Sequence, residues 1–172
     1  DGVHALTDVT GFGLAGHALE IAKGAKAQAV IDWAKVPLIG GVRDLATQGH
    51  ITGASGRNWA GYREQVSLPA NFAKEDQALL TDPQTSGGLL VTCNATAVHE
   101  VMAIFRRHGF DSVAEIGHIA AHHGGPRLTV RRWPTRWLCS PRPAAASALP
   151  RRANSPPTAG ASMPAAAIPE AP

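Results

Sequence analysis

The stretch ALTDVTGFGLAGH, residues 5–17, decides the reading of the fold. His4–Val9 reads as a short strand that runs into the glycine-rich turn Thr10-Gly11-Phe12-Gly13. Leu14, Ala18, Ile21, Ala22 and Ala25 then recur at three- and four-residue spacing, one face of a helix over 14–25. A strand end, glycines and a helix N-terminus in that order aim backbone N–H groups at an anion. Asp8 is placed to hold a Mg²⁺ that bridges phosphate oxygens. It has a plainer use too, since Asp8 or Thr10 can cap the helix beginning near Gly11. The residues alone leave both uses open. Gly11, Gly13 and Gly16 also spell a dinucleotide fingerprint, with Asp32 standing 21 positions after Gly11. This NAD-binding, Rossmann-type oxidoreductase reading is the weaker one. Thr7, Asp8 and Thr10 are too polar for a buried parallel strand, and no further βαβ units follow. No Gly-Lys-Ser/Thr follows either, which excludes a Walker A loop.

Outward from this stretch, Ala27–Trp33 reads as a second strand and Val42–Gln48 as a short helix stopped by Gly49. Residues 49–62 hold several glycines and no apolar period, so a long loop is expected. Lys74–Leu80 reads as helix, Thr81–Gly88 as turn and Leu89–Cys93 as a buried strand. Thr96–His108 is amphipathic, with Arg106 and Arg107 at the end where cations suit the helix dipole. Ser112–Ala120 and Arg127–Arg131 read as two closing strands around the turn His122–Gly125. Strands and helices mix without strict βαβ alternation, so the expected class is α+β, a mixed sheet with helices.

A second polar turn, Asp82-Pro83-Gln84-Thr85-Ser86-Gly87-Gly88, packs a carboxylate, an amide, two hydroxyls and two glycines between a helix and a buried strand. Pro83 pushes Asp82 out of the helical region, and the glycines permit a nest of N–H groups. As structure this is an Asx-type turn; as function it is another oxyanion cradle. Ser86 lacks the nucleophile elbow, because Gln84 stands where that motif needs glycine. No serine nucleophile is expected. His4 and Asp8 share a strand face and His122-His123 sit in a turn, but a transition-metal site needs these to converge with a third ligand. Solvated or core histidines are the expectation, and Cys93 reads as a buried, inert thiol.

Together, ALTDVTGFGLAGH (5–17) and LTDPQTSGGLLV (80–91) resemble the two signature stretches of the C-terminal domain of selenophosphate synthetase (selenide, water dikinase). The 53–62 segment with Arg57-Asn58, and a closing hairpin carrying Gly117, Gly124 and Gly125, fit the same pattern. The resemblance covers about residues 3–132 and implies the fold of the aminoimidazole ribotide synthetase superfamily, in which an ATP-binding N-terminal half precedes an α+β C-terminal half. It implies an enzyme that makes selenophosphate from selenide and ATP, releasing AMP and phosphate, with Mg²⁺, as a homodimer. The cytoplasmic setting is expected separately, from two cysteines (Cys93 and Cys139) that make no disulfide framework. It makes Asp8 a Mg²⁺ ligand, and Thr10, Gly11, Gly13, Asp82, Thr85, Ser86 and Gly87 the residues that enclose substrate or phosphate. The family's catalytic Cys or selenocysteine and its partner Lys belong to the other half. No catalytic residue is therefore expected here, and the chain alone is expected to be inactive. A non-catalytic anion-binding module of the same superfamily is the alternative.

Composition sharpens these boundaries. The 172 residues carry 16 Lys+Arg against 13 Asp+Glu, a net charge of +3. Residues 1–132 hold 12 of each sign, so the entire excess lies in 133–172, which also hold 9 of the 13 prolines and 11 alanines. That separates a neutral domain, 1–132, from a Pro/Ala/Arg-rich tail, 133–172, for which disorder is expected. The change of composition resembles that of a GC-rich message read out of frame, and one continuous native frame through residue 172 at the locus would contradict that expectation. The basic charge thus gives no reason to expect a nucleic-acid partner. No run of about 18 apolar residues exists, so no membrane span is expected. Asp1-Gly2-Val3 has neither the basic nor the apolar region of a secretory leader and no initiator Met, so further sequence is expected upstream. Two cysteines without a CxxC give no disulfide framework.

Overall fold

A computed structural model describes residues 2–132 and the backbone of 163–167. In chain order the elements are β1 (Val3–Asp8), α1 (Gly13–Gly24), β2 (Ala27–Asp32), α2 (Val42–Thr47), α3 (Gly53–Tyr62), β3 (Val66–Ser67), α4 (Lys74–Leu80), β4 (Leu89–Cys93), α5 (Val98–Arg107), β5 (Ala114–Ala121), β6 (Leu128–Arg131) and β7 (Met163–Ala167). Among the described residues the strands form one mixed sheet in the order β1-β4-β7-β5-β2-β6-β3. The architecture is α+β, as the sequence predicts.

The sheet is built around β2. Ala29, Val30 and Ile31 are buried, and both edges of this strand are paired, antiparallel to β5 and parallel to β6. Leu14, Ala15, Ala18, Leu19 and Ala22 of α1 cover one face, against Ile31, Ile116, Ile119, Leu128 and Val130. Leu90 belongs to this core, while its neighbours Val91 and Cys93 pack under Val101 of α5. Successive strand residues point to opposite faces, so α1 and α5 lie on the two sides of the sheet.

Four expectations are corrected. Residues 53–62 are helix rather than loop. Thr52 caps α3 by accepting the Ser55 N–H at 3.2 Å, and Ser55, Asn58, Trp59 and Tyr62 line its inner face at helical spacing. That face is polar and aromatic, so an apolar period does not reveal it; tertiary contacts outweigh the poor propensity of Gly53, Gly56 and Gly61. Next, β5 and β6 do not form a hairpin, because β2 lies between them. The segment joining them arches past the end of β2, where Arg127 Nη1 donates to Ala27 O at 3.1 Å and Gln28 Nε2 donates to Pro126 O at 2.9 Å.

The Rossmann reading also falls. Among the described residues β1 pairs only with β4, antiparallel, and β1 and β2 are not neighbours. A dinucleotide fold needs those two strands parallel, close together and central in the sheet. The last correction concerns the tail, where Met163–Ala167 forms β7, antiparallel to both β4 and β5. Ala165, Ala166 and Ala167 pair with both neighbours, but Pro164 faces only β5 at the strand's start, where a missing N–H costs least. The rest of the expected disordered tail, 133–162 and 168–172, lies outside the described residues.

Asp76 on α4 is 1 % exposed. Arg43 Nη2 of α2 lies 3.0 Å from Oδ1, without the alignment of a formed hydrogen bond, and Arg132 Nη2 beyond β6 donates to Oδ2 at 3.3 Å. This charge clasp joins two helices to the chain that leaves the sheet. Asp76 is buried while both guanidiniums are about half exposed, so removing the arginines strands a charge, whereas removing Asp76 lets them hydrate. Arg43→Ala with Arg132→Ala is expected to cost about 3–5 kcal/mol in urea unfolding, and each single change only part of that. A double variant as stable as the parent would show that the clasp contributes nothing.

Candidate active site

The two polar turns meet backbone to backbone. Val9 N–H donates to Gly88 O at 2.8 Å, and Gln84 N–H donates to Thr10 O at 3.1 Å. Thr10 O also accepts from Gly13 N–H at 3.0 Å, which closes the glycine turn. Contact is so close that a Cβ on Gly87 would overlap Val9 O. Gly13 has φ +68, and a Cβ there would come within 2.6 Å of the Thr81 carbonyl carbon. At these two positions glycine is required by space, and at Gly13 by conformation as well.

α3 clamps the junction from outside. Asn58 Nδ2 donates to Gly11 O at 2.9 Å and to Thr81 O at 3.0 Å, so one amide bridges both turns. Tyr62 O–H donates to Phe12 O at 2.8 Å, and burial holds its phenol well above the ordinary range. Ser55 Oγ donates to Ala78 O at 2.8 Å and contacts Thr81 Oγ1 at 2.7 Å, fixing α3 to α4. Sequence reasoning noticed Asn58 only through a resemblance and missed Thr52 and Tyr62. The recoverable signal was the spacing of Ser55, Asn58, Trp59 and Tyr62.

The capping alternative fails. α1 begins at Gly13 with Phe12 as its N-cap, no side chain caps it, and its first turn holds no acidic residue. Thr10 Oγ1 instead meets His17 Nε2 at 3.3 Å. Asp8 ends β1, is exposed, and its carboxylate has no hydrogen-bond or ion-pair partner among the described residues. An uncapped helix start and a free carboxylate thus lie within a few residues of one another.

The expected site residues divide into two groups. Thr10, Gly11, Gly13 and Gly87 make the backbone junction beside Asp8. Asp82, Thr85 and Ser86 face a cavity of about 360 Å³ whose other wall is the apolar segment Val36–Ile39 with Val42. Among the described residues Asp82 is the only charged one lining it. Thr52 Oγ1 donates to Asp82 Oδ1 at 3.1 Å, yet burial dominates and pushes the Asp82 carboxyl above its ordinary range. The cavity therefore offers an anion hydroxyls but no positive charge. His4 Nε2 bonds Asn94 Oδ1 at 2.9 Å, and His122 Nε2 bonds Gly125 O at 3.0 Å. Cys93 is 1 % exposed, and burial, with the Glu115 charge second, pushes its thiol up. Among the described residues no group of three or more His, Cys, Asp or Glu converges, and no helix is long and apolar enough to cross a membrane.

This fold and paired-turn junction define a class. Residues 1–128 match the C-terminal domain of AIR synthase related proteins, and the chain belongs to that family. Among individual proteins it is similar to a selenide, water dikinase of Pseudomonas straminea, 57 % identical over 130 residues, which are 76 % of this chain and 36 % of that protein. A selenide, water dikinase of Dechloromonas aromatica is 50 % identical over 130 residues, 76 % of this chain and 37 % of the relative. One from Burkholderia cenocepacia is 56 % identical over 119 residues, 69 % and 34 % of the two chains. The chain spans about a third of the length of these relatives.

Two substitutions test the junction. Gly87→Ala is expected to cost about 1–3 kcal/mol, the range for forcing a methyl group into a filled site. Gly56→Ala on α3, where a Cβ meets nothing within 4 Å, is expected to be neutral or to stabilise by about 0.5–1 kcal/mol. Equal effects of the two in urea unfolding would contradict the tight approach at Gly87. Asp82 supplies a pH test. Its folded carboxyl titrates above the unfolded value, so ionisation works against the fold as pH rises through the folded pKa. Asp82→Asn should raise Tm at pH 7, and the gain should vanish in acid, where the parent carboxyl is protonated in both states. A gain unchanged with pH would point away from desolvation.

Proposed function

We propose that this chain is the part of a selenide, water dikinase that supplies one Mg²⁺ ligand, Asp8, and part of the surface enclosing the substrates. The reaction is ATP-dependent: selenide and water are consumed, and selenophosphate, AMP and phosphate are released. The observation that carries the reading is the junction of the two turns, which leaves the Asp8 carboxylate unpaired beside an uncapped helix. Asp8 suits a hard cation: its oxygens are free, and a carboxylate is the donor Mg²⁺ takes alongside water and phosphate. When bound, Mg²⁺ neutralises phosphate charge, which a wall carrying only Asp82 does not do. The remaining ligands come from water, from the nucleotide, and from the two-thirds of the relatives that this chain does not span. Thr10, Gly11, Gly13 and Gly87 hold Asp8 in place, while Asp82, Thr85 and Ser86 line the neighbouring cavity. The chain on its own is catalytically inert, since the described residues carry no candidate nucleophile; Cys93 is buried in the small core under α5.

The uncapped N-terminus of α1 also favours a second reading, a non-catalytic anion-binding module. The two diverge in calorimetry, because a module binds Mg·ATP or phosphate as the chain stands. A dikinase part binds Mg·ATP only when joined to the N-terminal two-thirds of the Pseudomonas straminea relative. In that fusion, selenide-dependent AMP formation is expected to fall at least a hundredfold on Asp8→Asn, with an unchanged circular dichroism spectrum. Undiminished turnover would refute the metal role of Asp8.

A further inference from the structure

His17, the fifth residue of α1, has no role in the function proposed above, yet it is 6 % exposed and its ring is committed to the glycine turn. Its Nε2 accepts the Thr10 N–H at 3.1 Å and lies 3.3 Å from Thr10 Oγ1. Accepting a backbone N–H requires Nε2 without a proton, which puts the ring proton on Nδ1. Glu20 Oε2 lies 3.0 Å from Nδ1, one helical turn on, but off the line of a formed hydrogen bond. Glu20 is well exposed, and at that distance its negative charge favours the proton on Nδ1. The Phe12 ring is tilted 56° to the imidazole, with 6.1 Å between centroids.

Thr10 is the hub of the junction through the two peptide groups that flank its Cα. Its N–H goes to His17, and its C=O receives both Gly13 N–H and Gln84 N–H. One side chain on α1 therefore anchors the Val9–Thr10 peptide group, which adjoins the Thr10 carbonyl that both turns share and lies within two residues of Asp8. We propose that His17 is a positioning residue: by accepting the Thr10 N–H it holds the two turns in register and keeps Asp8 at the place where a cation is bound. Glu20 favours the required tautomer from the solvent side. The cation part rests on the reading of Asp8 given above; the contact with Thr10 does not.

Hydrogen exchange followed by ¹⁵N NMR on the whole chain tests the contact. His17→Ala is expected to speed exchange at the Thr10 amide at least tenfold while Ile31 and Ile119 keep their protection. His17→Gln, whose side-chain oxygen reaches about as far as Nε2, should restore it. In the fusion with the relative's N-terminal portion, His17→Ala should raise the Mg²⁺ concentration for half-maximal turnover about tenfold, and His17→Gln should return it towards the parent value. Unchanged exchange at Thr10, or a loss of protection spread evenly over the core, would overturn the positioning role. So would an unchanged Mg²⁺ requirement in a fusion whose activity depends on Asp8. If Asp8→Asn leaves turnover intact, the metal reading fails by itself, and the exchange data still decide whether His17 holds Thr10.

Discussion

The backbone contact between Val9–Thr10 and Gln84–Gly88 is the constraint on which the rest of the site depends. Segments more than 70 residues apart exchange two hydrogen bonds, at 2.8 and 3.1 Å, across a gap that admits no side chain at Gly87. Everything near it follows from that closeness. Gly13 must be glycine because Thr81 and Asp82 press against its Cα, and α3 must be a helix for Asn58 to reach both Gly11 and Thr81. The long-range pairing is also what makes β1 an edge strand beside β4, so that its polar end is left in solvent.

That placement bears directly on the metal role proposed for Asp8. A buried Asp8 would need a partner of its own; at the end of an edge strand it remains free for a cation. Among the described residues the neighbouring cavity carries a carboxylate pushed towards its neutral form by burial and no basic side chain, so these residues alone do not make it an anion cradle. Phosphate binding in such a place depends on charge brought from elsewhere, which agrees with a chain that spans only about a third of its dikinase relatives. The neutral charge balance of 1–132 fits a surface shared with other parts of an enzyme better than an electrostatic docking face.

Much of this was legible in the sequence, and the remainder was hidden for identifiable reasons. The strand–turn–helix over Val3–Gly24, the helix Lys74–Leu80 and the strand Leu89–Cys93 follow from local periodicity and glycine placement, and they stand where expected. α3 was hidden because its buried face is Ser55, Asn58, Trp59 and Tyr62, which hydropathy scores as loop. The separation of β5 from β6 was hidden because pairing depends on β2, about 90 residues away in sequence, whose apolar run demands partners on both edges. β7 was hidden by Pro164, which reads as a sheet breaker unless one knows that it faces a single neighbour. The candidate site was legible as two motifs, but their contact was not, since nothing local says that Gly87 meets Val9.

The most direct test of the central claim is a long-range HNCO experiment, which detects scalar coupling through hydrogen bonds between an amide nitrogen and a carbonyl carbon. The account requires cross-peaks from Gln84 N–H to the Thr10 carbonyl and from Val9 N–H to the Gly88 carbonyl. Their absence, in a spectrum that does show couplings across the β2–β5 ladder, would mean that the two turns do not form one unit and that Asp8 is not held as described.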